Sequence, residues 1–245
     1  MLFFLRQARR KLMNESKIST YLLYAVGEIV LVVVGILIAV QIDDWNNERL
    51  ENNEQVNYYK GILVDLRKDS AHFASRIGYF QRNLDVYYDI YDQMNGGDSK
   101  ETPPLYDRLL YNAQFFSLTQ QNQQRVIDKL KNNKVREHLN DYFQLYLQAA
   151  DAAKEYNSTI LNVSRPFFLK SKAMKMKVVF HEDKYGFLPR DPILDADKVL
   201  DLSSQGEFQE ILASLRVSSG YALSTLRSLA KVNADLIASL NDEID

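Results

Sequence analysis

Residues 24–48, YAVGEIVLVVVGILIAVQIDDWNNE, place one acid, Glu28, inside a run that otherwise reads as hydrocarbon, and the reading of this stretch decides the fold. From Tyr21 to Ile42 the chain has 22 residues, and Glu28 is their only carboxylate. At ~1.5 Å rise per residue a helix of that length reaches roughly 33 Å, against a bilayer hydrocarbon core of about 30 Å. The segment holds fourteen Leu, Ile and Val residues. At roughly -0.3 to -0.6 kcal/mol each near the centre of a span they contribute about -4 to -8 kcal/mol, while one charged acid costs about +2.5 to +3.5. Insertion therefore wins with Glu28 in place. A cleaved signal peptide has a shorter apolar core, roughly 7 to 15 residues, closed by a small-x-small site. Here the run continues into Gln41, Ile42, Asp43, Asp44 and Trp45, which reads as an uncleaved signal anchor.

Charge sets the expected direction. Arg6, Arg9, Arg10, Lys11 and Lys17 precede the span, and Asp43, Asp44, Glu48, Glu51 and Glu54 follow it with Arg49 as the one cation among them. The positive-inside rule places the N-terminus in the cytoplasm and everything after Trp45 outside, in the periplasm where a cell has two membranes; the bilayer is then the inner one. Tyr21, Tyr24 and Trp45 fit the aromatic belts at the two interfaces. The opening LFFLRQARRKLM reads either as a basic amphipathic helix on the inner leaflet or as a tail that only sets topology. The expected organisation is a cytoplasmic tail over 1–20, a transmembrane helix over 21–42 and an extracytoplasmic domain over 43–245. The net charge of -2 gives no basic surface for nucleic acid, and the absence of cysteine excludes disulfides, thiol nucleophiles and zinc-thiolate sites.

Tyr21 to Val32, then Gly35-Ile-Leu-Ile-Ala39-Val-Gln41-Ile42, then Trp45-Asn46, resemble the N-terminal hallmark of an uncharacterised Bacteroidota family of single-pass proteins. In that family a GEI-LV-GILIA-QI--WN span follows a basic tail and precedes a helical extracytoplasmic domain. The match is dense over residues 1–60 and diffuse beyond, with similar blocks at 130–139 and 234–241. Asp43 and Asp44 stand where family members often carry Asn. The resemblance implies location and topology, and it implies no activity. Within it, Asp69-Ser70-Ala71 fits the Asp-Ser/Thr-small-apolar pattern of O-glycan addition in exported Bacteroidota proteins. The other reading of Ser70 is a seam hydroxyl bonded to its own helix backbone.

No proline precedes Pro103 and no glycine lies between Gly35 and Gly61, so nothing obliges the membrane helix to stop at the bilayer surface. Val56, Tyr59, Leu63, Leu66, Ser70, Phe73, Ile77, Phe80, Leu84, Tyr87, Tyr91 and Met94 recur at alternating three- and four-residue steps, a coiled-coil-like seam. Asn95-Gly96-Gly97-Asp98 and Pro103-Pro104 end it. Two short helices are expected near 105–116 and 120–131, with Asn132-Asn133 as a turn. A second long helix starts near Lys134 and follows Leu139, Tyr142, Tyr146, Ala149, Ala153, Tyr156, Ile160, Val163 and Phe167. Residues 170–203 lose the period and read as a loop-rich insertion, with a short strand at Val178 to Phe180. Ser204 and Glu207 form a capping-box pattern opening a third long helix through Phe208, Leu212, Leu215, Ala222, Leu226, Leu229, Leu236 and Leu240. The fold class is all-α: a transmembrane helix continuous with an elongated bundle of about four helices.

An ionisable group at membrane depth is a functional hypothesis by default. Glu28 shares a face with Gly35 and approximately with Ala39, whose small side chains let helices approach. Protonated Glu28 hydrogen-bonding across a homo-oligomer, Glu28 paired with a cation in another inner-membrane protein's span, and proton coupling are the three readings. His181-Glu182-Asp183 is either a metal contact or a solvated run, and no Glu-x-x-His pair for a di-iron bundle, phosphate loop or serine elbow is present. The cluster Lys170, Lys172, Lys175, Lys177 with Met174 and Met176 is a wet face, or a contact for lipid headgroups or an acidic partner. No cofactor, metal or enzymatic activity is expected. The functional expectation is a membrane-anchored scaffold or accessory subunit of an envelope complex. The alternative is a periplasmic sensor or ligand-binding module, which needs a signalling partner because the tail leaves no room for an output domain. A polar pocket inside the bundle favours the sensor, and a solid core with an exposed face favours the scaffold.

Overall fold

The computed structural model describes residues 17–98, 105–181 and 191–244, the side chains of 17–20, 23–24 and 181 excepted. Arg6, Arg9, Arg10, Lys11, Glu182 and Asp183, and the side chains of Lys17 and Tyr24, lie outside what is described. All regular structure among the described residues is helical, apart from one isolated β-bridge, Met174 to Leu194. The all-α expectation holds. α1 (Lys17–Met94) is a single helix of 78 residues. It is followed by α2 (Leu118–Gln123), α3 (Asn133–Thr159), α4 (Arg165–Lys170), α5 (Met176–His181), α6 (Ala196–Leu202) and α7 (Gly206–Asp242). The chain divides into two compact units, Met1–Val56 and Asn57–Asp245.

In the first unit the large apolar side chains of α1 are exposed from Val26 to Ile42, and none packs against another element. The stretch ends in a polar turn where Asn47 Nδ2 donates to Asp43 and Arg49 to Asn46, both at 3.2 Å.

The second unit is built on the three long seams. Along α1, Tyr59, Leu63, Leu66, Phe73, Phe80 and Tyr87 are buried, and Val56, Ser70, Ile77, Leu84 and Met94 half-buried. The helix closes where the sequence predicts: Gly96 adopts a left-handed φ of 84° and the Gly97 N–H returns to Asp92 O at 2.9 Å. Glycine takes that conformation without the clash a Cβ would bring. α3 runs parallel to this part of α1, pairing Asp69 with Tyr142 and Asn83 with Tyr156. α7 runs antiparallel, pairing Arg67 with Asn241, Ser70 with Asn233 and Tyr88 with Arg216. Every seam position of α7 from Phe208 to Leu240 is buried. Its expected capping box does not form. The helix starts one residue later, behind Gln205 with no side-chain cap, while Ser204 Oγ turns to Asp201 O.

The fourth column of the bundle is an irregular strap, where two short helices were expected. Its regular pieces are a 3₁₀ turn (Tyr106–Leu109), α2 and a second 3₁₀ turn (Ile127–Lys129), with extended backbone between. It descends antiparallel to α1: Tyr106 meets Gln93, Arg108 meets Asn83, Tyr111 O meets Tyr79, Ser117 meets Asp69 and Gln123 meets Asp65. Extended backbone buried in a bundle needs non-local partners, and side chains supply them. Asn157 brackets Ala113 with two 2.7 Å bonds, its Oδ1 accepting from the Ala113 N–H and its Nδ2 donating to the Ala113 C=O. Ser164 Oγ donates to Leu109 O and Arg165 to Leu110 O.

The α3 seam holds from Leu139 to Ile160 and then slips. A π-turn, Ile160–Ser164, inserts a residue ahead of Pro166, so Ser164 is buried and the expected Val163 is 46% exposed. Pro166 has no N–H to donate to Asn162 O and its ring crowds that carbonyl; widening the preceding turn relieves both. The strand expected at Val178 to Phe180 is instead α5, whose first turn starts with Val178 N and Val179 N donating to Lys175 O. The neighbouring bridge ends at Met174, so no ladder reaches these residues and their amides bond within the helix.

Candidate functional site

α1 is long and apolar enough to cross a membrane: it contains an 18-residue window of mean hydropathy 2.6, none of it buried. On that stretch Glu28, Gly35 and Ala39 are exposed and lie within about 40° of one another around the helix at 100° per residue. A Cβ placed on Gly35 would meet nothing within 4 Å, so this face is open to a close neighbour. Tyr21 (73% exposed) and Trp45 (68%) flank the stretch as rings with no partner in the core, the positions interfacial anchors need.

Ser70 sits in the α1–α7 contact. Its Oγ donates to Leu66 O at 3.1 Å and accepts from Asn233 Nδ2 at 2.6 Å. That is the backbone-bonded reading; a glycan on this oxygen would have to displace α7.

Residues that the seams do not mark, Asp69 and Asn83 among them, join seam tyrosines in the polar interior. Asp69, fully buried, accepts four hydrogen bonds: from Ser117 Oγ (2.7 Å), Tyr142 OH (2.7 Å), Leu118 N (2.7 Å) and Thr119 N (3.0 Å). A carboxylate of α1 thus satisfies the first amides of α2, whose own cap, Ser117, bonds Gln120 N. About three turns further along α1, Tyr79 donates to Tyr111 O at 2.6 Å, as does Tyr156 of α3 at 3.0 Å, and Asn83 donates to Tyr156 OH at 2.9 Å. Burial pushes the phenols of Tyr87, Tyr142 and Tyr156 well above the ordinary 10.0, with Tyr156 raised further by its neighbours Tyr87 and Tyr79. They remain neutral donors. His72 stacks on Phe116 with ring centroids 4.1 Å apart, and its Nε2 is buried without a partner among the described residues. Burial, then the Arg76 charge, hold its pKa below 6.5 against the opposing pull of Asp69.

One open groove of about 460 Å³ lies on the outside of this unit, between the last turns of α1 and the first half of α7. Tyr87, Tyr88, Tyr91, Leu212, Arg216 and Val217 are among its lining residues. Arg216 is held on Tyr88, donating to its hydroxyl from Nε (3.1 Å) and Nη2 (2.9 Å). Tyr91 occupies a seam position yet is 56% exposed, on the lining of this groove. Neither the Asp69 node nor the groove stood out in the sequence. A carboxylate beside a heptad seam is ordinarily a rim charge, and only the strap folding back over Asp69 distinguishes it from the exposed Asp85.

No curated protein and no solved structure matches this chain. Residues 28–101, a stretch beginning at Glu28 and running through α1 to just beyond its end, match a family described as "Family of unknown function (DUF6090)".

Proposed function

We propose that the protein is a single-pass inner-membrane scaffold or accessory subunit, its N-terminus cytoplasmic and its helical domain periplasmic, assembling through the Glu28 face of α1. The observation that carries this reading is the division of labour along the chain. The buried core among the described residues begins at Tyr59, while the most apolar stretch buries nothing. About 20 unburied apolar residues are costly in water and favourable in lipid, and the open Glu28, Gly35, Ala39 face supplies the close approach and the hydrogen bond that associate helices there. The second unit's interior is packed with aromatic and aliphatic side chains around satisfied polar nodes, which suits a body that presents surfaces.

The test is gentle detergent extraction of the native protein with a mass measurement of the assembly. Glu28→Gln should keep the assembly, since an amide still donates and accepts. Glu28→Leu should weaken it by about 1 kcal/mol or somewhat more per contact, moving mass toward the single chain. An unchanged mass for Glu28→Leu would remove the oligomerisation role. The second reading, a ligand-binding module, draws its support from the 460 Å³ groove. If it holds, Tyr91→Ala should alter the response of cells to the ligand without altering that mass.

A further inference from the structure

Between α4 and the end of α5 the chain turns its apolar side chains outward. Leu169 is 61% exposed, Met176 58% and Phe180 78%, and Phe180 exceeds every other large apolar side chain among the described residues, those of the membrane stretch included. Met176, Val179 and Phe180 stand at i, i+3 and i+4 on α5, so they form one stripe of a short amphipathic helix whose apolar side faces away from the core. The inward contacts of this edge are made by Ala173, which is buried, and by Met174 and Val178, which are half-buried.

Cations interleave with the stripe. Lys170, Lys172, Lys175 and Lys177 fall within residues 169–181, which contain no acid. No carboxylate among the described residues pairs with these four lysines. Across the Met174–Leu194 bridge, Asp195 and Asp197 stand at the start of α6. Lys172 takes a left-handed φ of 58°, a conformation that glycine or asparagine adopts at less cost.

We propose that this α4–α5 edge binds the surface of an anionic bilayer, with Phe180 and Met176 entering the headgroup–acyl boundary and the four lysines lying on lipid phosphates. Exposed aromatic and thioether side chains among lysines that no described carboxylate pairs are the composition of an interfacial helix, and each lysine near an anionic surface adds about fivefold in affinity. A soluble acidic partner would need a concave seat for its side chains. The groove of this unit is lined by α1 and α7 and includes no residue of 169–181. A planar lipid surface needs no such seat.

The test uses the full chain held in phosphatidylcholine nanodiscs and mixed with sucrose-loaded vesicles, which are then pelleted. Co-sedimentation is expected with vesicles containing phosphatidylglycerol and not with pure phosphatidylcholine. Phe180→Ser should weaken it about tenfold, and Lys175→Gln with Lys177→Gln roughly 20-fold at low salt. All three residues are at or near the surface, and circular dichroism melts of the variants should superimpose on the parent. Replacing Arg9 and Arg10 with Gln should leave binding in place. Two results overturn the proposal. If Phe180→Ser binds as tightly as the parent, charge alone governs the contact, as for an acidic protein. If loss follows the Arg9 and Arg10 changes and spares the α5 variants, the basic tail is the lipid contact.

Discussion

Asp69 organises more of the interior than any seam residue, since one carboxylate holds the strap, α2 and α3 to α1 through four short bonds. Asp69→Ala would leave two amides and two hydroxyls buried without their acceptor. The expected cost is about 3–5 kcal/mol, read as a lower denaturation midpoint. Tyr142→Phe removes a single donor and should cost about 1 kcal/mol; a loss as large as that of Asp69→Ala would mean the node is not centred on the carboxylate. The ionisable interior also sets a pH window. His72 holds its proton less readily folded than unfolded, so stability is full above pH 6.5 and falls as pH drops through that value. Tyr87, Tyr142 and Tyr156 have the opposite sense. Their raised values mean that only the unfolded chain releases those protons just above pH 10.0, so their contribution is present below that pH and is lost as pH rises beyond it. Melts from about pH 5 to about pH 11 should show both flanks, with His72→Phe flattening the acid side.

At the scale of elements, what was legible in the sequence is what short-range periodicity encodes. The 3–4 steps mark the buried faces of α1, α3 and α7, and Asn95-Gly96-Gly97 marks the end of α1, because both signals act within one turn of helix. The strap was not legible. Its 3₁₀ and extended backbone is specified by residues far along the chain, Asn157, Ser164, Arg165 and Asp69, and no local pattern announces a partner 40 to 55 residues away. Asp107 belongs to the same set, accepting from Ile193 N and Leu194 N at 2.8 Å and tying the 170–203 insertion to the strap. The failures at Val163 and at Val178 to Phe180 have different causes: the π-turn answers Pro166 just after it, while the missing strand partner is a tertiary fact that overrides local preference. Asn157→Ala tests the strap directly. It leaves both polar groups of Ala113 without partners, at an expected cost of about 2 kcal/mol, and amide exchange should quicken over 110–117 before it does in α7. Uniform quickening would show that the strap has no stability of its own to lose.

For the whole molecule, the two units differ in what their apolar side chains meet. Beyond Asn57 the sequence packs aromatic and aliphatic seams against one another as a water-soluble bundle does. Before Val56 it carries an apolar helix whose side chains find no partner in the chain. The long apolar stretch was readable because its length and composition are written in consecutive residues; the groove was not, because its lining joins residues of α1 and α7 that lie far apart in the chain. The chain contains no cysteine, so a single introduced thiol reports on one place without background. The most direct test of the proposed crossing places Cys at Glu48, just beyond Trp45, or at Ser16, just before the span, and treats intact cells with a membrane-impermeant maleimide. The expected result is labelling at position 48 and protection at position 16 until the membrane is opened with detergent. Labelling at position 16 with protection at 48, or equal labelling of both, would contradict a single crossing with the N-terminus inside.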